Sequence, residues 1–183
     1  YGAVITFTAI NSVSLKYIDS IFVGRISLDQ VAVYSVAAFI GLMIEIPLNA
    51  LERISSPVIA HAMAAGDMAP IRTIYQRSAR FLLLLGGWMF VLVVLNVRDL
   101  LGLLPEGFSA GWPVAIVIAT GALINMATGI NHPILVNSDR YIYASVFLVA
   151  LLVITVLGNW ILIPRIGIMG AAITSCIANV VYN

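Results

Sequence analysis

Two stripes of polar side chains stand inside long apolar runs of this sequence, and their types could do chemistry. Glu45, Asn49, Glu52 and Ser56 recur every three or four residues, the spacing of one helix face. Gly121, Asn125, Thr128 and His132 form a second such stripe, with Asn131 and Pro133 beside it. A carboxylate deep in an apolar run is costly to keep charged, so Glu45 must face other helices, a partner or water. It reads either as the wall of a polar cavity, with a protonatable, ion-coupling role, or as a neutral hydrogen-bonded carboxyl. Glu52 either shares that wall or pairs with a cation such as Arg53 near an interface. His132 reads as a proton relay or as a neutral imidazole bonded to a neighbouring helix. Pro47 and Pro57 fall in the same run as Glu45 and are expected to interrupt its helix, freeing backbone carbonyls.

Weaker signals lie elsewhere. Thr8, Ser12, Lys16 and Asp19 share one side of the opening run. Lys16 there either meets an anion or extends its stem to the interface. Thr155 with Asn159, and Ser175 with Asn179, make polar pairs that interhelical hydrogen bonding explains equally well. The patterns that carry enzymatic chemistry are missing: no HExxH, no phosphate loop and no locally supported Ser/His/Asp arrangement. No catalytic residues, cofactor or metal site are therefore expected. The single cysteine, Cys176, excludes an internal disulfide and reads as a small buried side chain.

The elements that position these residues follow from composition. Of 183 residues, 62% are hydrophobic and 9% charged, with a mean hydropathy of +1.08. A soluble domain covers its surface with roughly 25% charged residues. The apolar residues are instead gathered into runs long enough to cross a bilayer, which takes about 20 residues per helix. Six runs give approximate spans at 1–17, 31–57, 81–103, 113–136, 141–163 and 168–183. The expected fold is thus an all-α integral-membrane bundle of six helices, multi-pass, with the lipid bilayer as its principal partner. Gly66-Asp67 with Pro70, Leu104-Pro105-Glu106-Gly107, Ser138-Asp139-Arg140 and Pro164-Arg165-Ile166-Gly167 punctuate the runs as turns. A net charge of +1 gives no footprint for nucleic acid. Arg72, Arg77 and Arg80 cluster in one connection, which places that connection in the cytoplasm. The opening run lacks the basic start and small-residue cleavage site of a signal peptide. A start at Tyr1 and an apolar finish at Asn183 read as a piece of a longer protein.

Four stretches carry a family resemblance. They are Tyr17-Ile18-Asp19-Ser20-Ile21-Phe22-Val23-Gly24 with Val33-Tyr34-Ser35; Ile46-Pro47-Leu48-Asn49-Ala50-Leu51 leading to Ser56-Pro57-Val58-Ile59-Ala60; the Arg72-to-Arg80 helix entry; and Asn159-Trp160-Ile161-Leu162-Ile163-Pro164 followed by Gly167-Ile168-Met169-Gly170-Ala171-Ala172. In order and spacing the sequence resembles the second half of a polysaccharide or O-antigen flippase of the multidrug/oligosaccharidyl-lipid/polysaccharide (MOP) exporter superfamily. The resemblance implies spans seven to twelve of a two-lobe bundle, with an N-terminal lobe as partner, in a bacterial inner membrane. It also implies export of a polyprenyl-pyrophosphate-linked glycan by alternating access, for surface polysaccharide biosynthesis. Lys16, Glu45, Asn49, Glu52, Arg53, Asn125, Thr128 and His132 are then the candidate cavity lining, cations attracting pyrophosphate while amides and hydroxyls bond sugars. Related flippases tend towards a strongly basic cavity, and few midspan cations are available here. A cation-coupled drug antiporter of the same superfamily is the first alternative, with Glu45 as its ion-coupling group. A membrane glycan polymerase or acyltransferase is the second, although the short connections leave little room for a catalytic domain.

Overall fold

The computed structural model describes residues 18–25, 27–138 and 141–183, and these are all helix and short connection. A first helical segment, α1, covers 18–24. The others are α2 (Leu28–Ala64), α3 (Met68–Gly102), a 3₁₀ turn (Phe108–Gly111), α4 (Trp112–Ala127), α5 (Asn131–Asn137), α6 (Tyr141–Ile166) and α7 (Ile168–Tyr182). Four helical stretches are long and apolar enough to cross a membrane: Leu28–Ala64, Met68–Gly102, Phe108–Ala127 and Val146–Ile166. α7 is apolar but shorter. The opening run at 1–17 lies outside the described residues, as do Asp139 and Arg140.

Local chemistry sets the boundaries. At the α2–α3 reversal the Asp67 side chain accepts the Ala69 N–H at 3.0 Å, capping α3. Pro70 follows in the first turn, where a missing N–H costs nothing. At 1.5 Å per residue α3 is about 50 Å long, well beyond a hydrocarbon core of about 30 Å. Arg72, Arg77 and Arg80 are exposed on its first turns.

Two departures from the sequence reading bear on the site. α2 runs unbroken through Pro47 and Pro57. Neighbouring helices and side chains make proline tolerable in membrane helices, and Asn49 Nδ2 donates to the Glu45 carbonyl at 3.0 Å across Pro47. Conversely, the run read as one span at 113–136 is broken into α4 and α5. The break falls at Gly129, whose φ of +75° suits glycine, and a Cβ there would sit 3.0 Å from Ala79 Cβ on α3.

α4 is the hub, packed by α2, α3 and α7, with α6 laid on α7 and α5 bridging α2 and α6. Four of its six buried positions are small, Ala115, Ala119, Gly121 and Ala122, which lets neighbouring helices approach closely. One core gathers Tyr34, Ala37, Val97, Val114, Ala115 and Ala171; a second gathers Ile44, Leu48, Ile59, Leu82, Met126 and Ile130. Large apolar groups face outward, including Leu84 (76% exposed), Trp88 (63%) and Trp160 (67%). Water would leave such faces prone to aggregate, whereas lipid covers them.

Candidate functional site

The most constrained polar group is Asp19, only 7% exposed. Four helices meet at its carboxylate. Oδ2 accepts from Tyr34 Oη (α2) at 2.7 Å and from Ser175 Oγ (α7) at 2.5 Å, and Oδ1 accepts from Asn159 Nδ2 (α6) at 2.6 Å. All three donors are neutral, and no basic side chain pairs with Asp19 among the described residues. Asn159 is fully buried, and its Oδ1 has no hydrogen-bond partner. The donors to Asp19 among the described residues are all neutral, and a buried carboxylate without a cationic partner carries a charge that is expensive in a low dielectric. A proton or a hard cation removes that cost. The oxygens of Asp19, Tyr34, Ser175 and Asn159 are the donor set a hard cation prefers.

Beside this carboxylate lies a cavity of about 250 Å³, with Asp19, Tyr34, Glu45, Ser175 and Asn179 on its wall. A second cavity, of about 240 Å³, has Asn49, Glu52, Asn125, His132, Asn179 and Tyr182 on its wall. Asn179 belongs to both. Neither wall holds a Lys or Arg among the described residues.

Glu45 and Asn125 join the two spaces. Asn125 Nδ2 donates to Glu45 Oε1 at 2.8 Å, and Asn125 Oδ1 accepts from Asn183 Nδ2 at 3.1 Å. Asn183 Oδ1 in turn accepts from Thr128 Oγ1 at 2.7 Å and from Asn131 Nδ2 at 2.9 Å. His132 Nδ1 and Tyr182 Oη share a hydrogen bond at 2.7 Å, its direction following the imidazole tautomer.

The structure brings Glu45, Asn49, Glu52, Asn125 and His132 to these two walls. Thr128 braces the chain behind Asn125 instead. Arg53 is exposed, one position round α2 from Glu52, and lines neither cavity. Lys16 lies outside the described residues. Sequence reasoning did not nominate Asp19, Tyr34, Asn159 or Ser175 as a site. Asp19 had been seen only as one polar residue of the opening run, and Asn159 and Ser175 as separate weak pairs. No group of three His, Cys, Asp or Glu side chains able to hold a metal ion occurs among the described residues.

Comparison with known proteins gives one match: a family model described as MatE covers residues 5–161. No curated protein and no solved structure matches the chain.

Proposed function

The chain belongs to the MatE family, membrane transporters of the MOP superfamily, and on that premise we propose that it forms one lobe of a cation-driven exporter coupled at Asp19. The carrying observation is a buried Asp19 held by three neutral donors beside the unpartnered Asn159 Oδ1. Members of this family are transporters rather than enzymes. Ionised, Asp19 ties α1 to α2, α6 and α7 through charge-assisted bonds, which are about twice as strong as neutral ones. A proton or sodium ion neutralises it, loosens that tie and lets the helices repack towards the opposite opening of a central cavity. The gradient thereby biases one of two states, as differential binding requires.

The cargo this wall chemistry suits is an amphiphile with a cationic or hydroxyl-rich head, bound by Glu52, His132, Tyr182 and the amides of Asn49 and Asn125. A second reading keeps the lipid-linked oligosaccharide in a bacterial inner membrane, on the strength of the four sequence stretches. Its pyrophosphate then has to be met by Lys16 or by a second lobe, since the two described walls supply no Lys or Arg.

The test uses the full-length protein in proteoliposomes. Ethidium efflux should follow an imposed proton or sodium gradient and vanish in Asp19→Asn. Gradient-independent efflux, or full coupling in Asp19→Asn, would sink the coupling reading. Deleting the gene and quantifying lipid-linked oligosaccharide then separates the cargoes: internal accumulation with surface loss selects the glycan, and unchanged pools select the organic cation.

A further inference from the structure

The polar side chains of α2 form a ladder. Tyr34, Glu45 and Glu52 are separated by steps close to whole helical turns, so they share one face. At 1.5 Å per residue, Tyr34 and Glu52 stand about 27 Å apart, close to the hydrocarbon thickness of about 30 Å. The upper end of the ladder is the Asp19 site, reached through Tyr34. The lower end is the wall of Glu52, His132 and Tyr182. One lobe therefore contains a nearly membrane-deep line of ionisable groups, with a cavity at each end and a carboxylate between them.

An open line of that length would dissipate any gradient, so an exporter built on it requires a barrier. The two cavities meet where Glu45, on the upper wall, accepts the amide of Asn125, on the lower. Asn125 is not free to turn away. Its own carbonyl is held by Asn183, which is held by Thr128 and Asn131 on either side of the α4–α5 break. Gly129, at φ +75°, forms that break, and the hydrogen-bond chain links the first residue of α5 to Asn125 on α4. Among the described residues, the ionisable groups that share the upper wall with Glu45 are Asp19 from α1 and Tyr34 from its own helix, and those on the lower wall are Glu52 from α2, His132 from α5 and Tyr182 from α7. Among the described residues, α3, α4 and α6 contribute none to either cavity wall.

We propose that Glu45 is the second station for the coupling cation and that its hydrogen bond to Asn125, braced by the α4–α5 break, is the gate between the two cavities. This rests on the reading that Asp19 takes up that cation. The proton or sodium ion leaves Asp19, whose carboxylate returns to its three neutral donors, and neutralises Glu45. Opening of the Glu45–Asn125 bond then passes it towards Glu52 and His132. Charge balances at each step, because one carboxylate is neutralised as the other is released.

The experiment measures cargo-free leak through the full-length protein in proteoliposomes under a potassium–valinomycin potential. A pH dye reads protons and radioactive sodium reads sodium. Asn125→Ser should raise leak of one of the two ions about tenfold or more, as loss of a bond to a charged group implies. Adding Glu45→Gln to Asn125→Ser should return the leak to the wild-type value. An Asn125→Ser protein that is monodisperse and as tight as wild type overturns the gate, as does a leak that persists with Glu45→Gln. Carbodiimide labelling of Glu45, read by mass spectrometry, checks the same point without relying on flux. It should rise several-fold in Asn125→Ser, and equal labelling counts against the gate. Leak in the Asp19→Asn/Asn125→Ser double variant separates the two readings: if it survives there but not with Glu45→Gln, the gate stands and the Asp19 reading falls.

Discussion

The two polar regions of this chain are built in opposite ways. The Asp19 site takes one side chain from each of four helices, and its partners lie 15, 140 and 156 residues away in sequence. The Glu45–Glu52 wall is laid largely along a single face of α2. The first is buried and nearly saturated with hydrogen bonds at the edge of one cavity; the second is half-buried and runs from that cavity to the next. Saturation by neutral donors fixes a charge in place and makes its neutralisation consequential. Half-burial beside a cavity leaves room for water, an ion or cargo. On the proposed reading, the contrast separates the group whose neutralisation releases a tie between helices from the groups that pass the ion on or bind cargo.

The sharpest break of that contrast is a matched pair of isosteric changes. Asp19→Asn removes the charge while keeping the shape, and gradient-driven ethidium efflux should fall to background. Glu52→Gln should alter the apparent affinity for ethidium and weaken gradient dependence only in part, since His132 on the same wall remains. Efflux kinetics at varied ethidium concentration read both effects. Equal loss of coupling in the two variants would erase the distinction.

Asn159→Ala comes next. It removes one donor from Asp19 Oδ1 and leaves that oxygen buried without a partner, a loss of about 2 kcal/mol. Thermal unfolding in detergent, followed by tryptophan fluorescence, should show a lower midpoint. A proton or sodium ion should restore more of the loss in this variant than in wild type, because neutralising Asp19 relieves the unmet charge. An equal response to cations in both proteins would mean that Asn159 only packs.

What the sequence allowed to be read follows the same division. Glu45, Asn49 and Glu52 were legible because a single helix imposes its period on them, and Asn125 and His132 because a second run does. The Asp19 cluster was not, because no period links residues on four helices; Asp19 read as the end of a stripe on the opening run, and Asn159 and Ser175 as members of separate polar pairs. The helical, membrane-spanning character was legible from run length and composition. The α4–α5 break was missed because glycine is frequent in membrane helices and Gly129 alone does not announce a positive φ. The prolines of α2 were expected to interrupt it, yet their lost hydrogen bonds are local and the helix continues through them. Arg53 was grouped with Glu52 by adjacency, although neighbours in a helix point about 100° apart.

The break offers a third test. Gly129→Ala puts a Cβ at a positive φ and 3.0 Å from Ala79 Cβ, which should destabilise the lobe by about 1–2 kcal/mol. The matching change at Gly87, half-buried on α3 with nothing within 4 Å of a new Cβ, should be neutral or slightly stabilising. If unfolding midpoints fall equally for both, the break has no special backbone demand.

The smallest effect is expected at Arg53, and it decides how strictly helix facing governs function here. Arg53 is exposed and lines neither cavity, so Arg53→Gln should shift stability by no more than about 0.5 kcal/mol. Its charge is also screened from Glu52 by solvent or headgroups rather than confined with it in a cavity. Ethidium affinity and gradient dependence should therefore match wild type within error, against the altered affinity expected for Glu52→Gln one residue away. A large transport defect in Arg53→Gln, in protein that unfolds at the wild-type temperature, would place this guanidinium in contact with cargo or a second lobe. That result would revive the pyrophosphate-bearing glycan as cargo, because it would supply the cation that the two described walls lack.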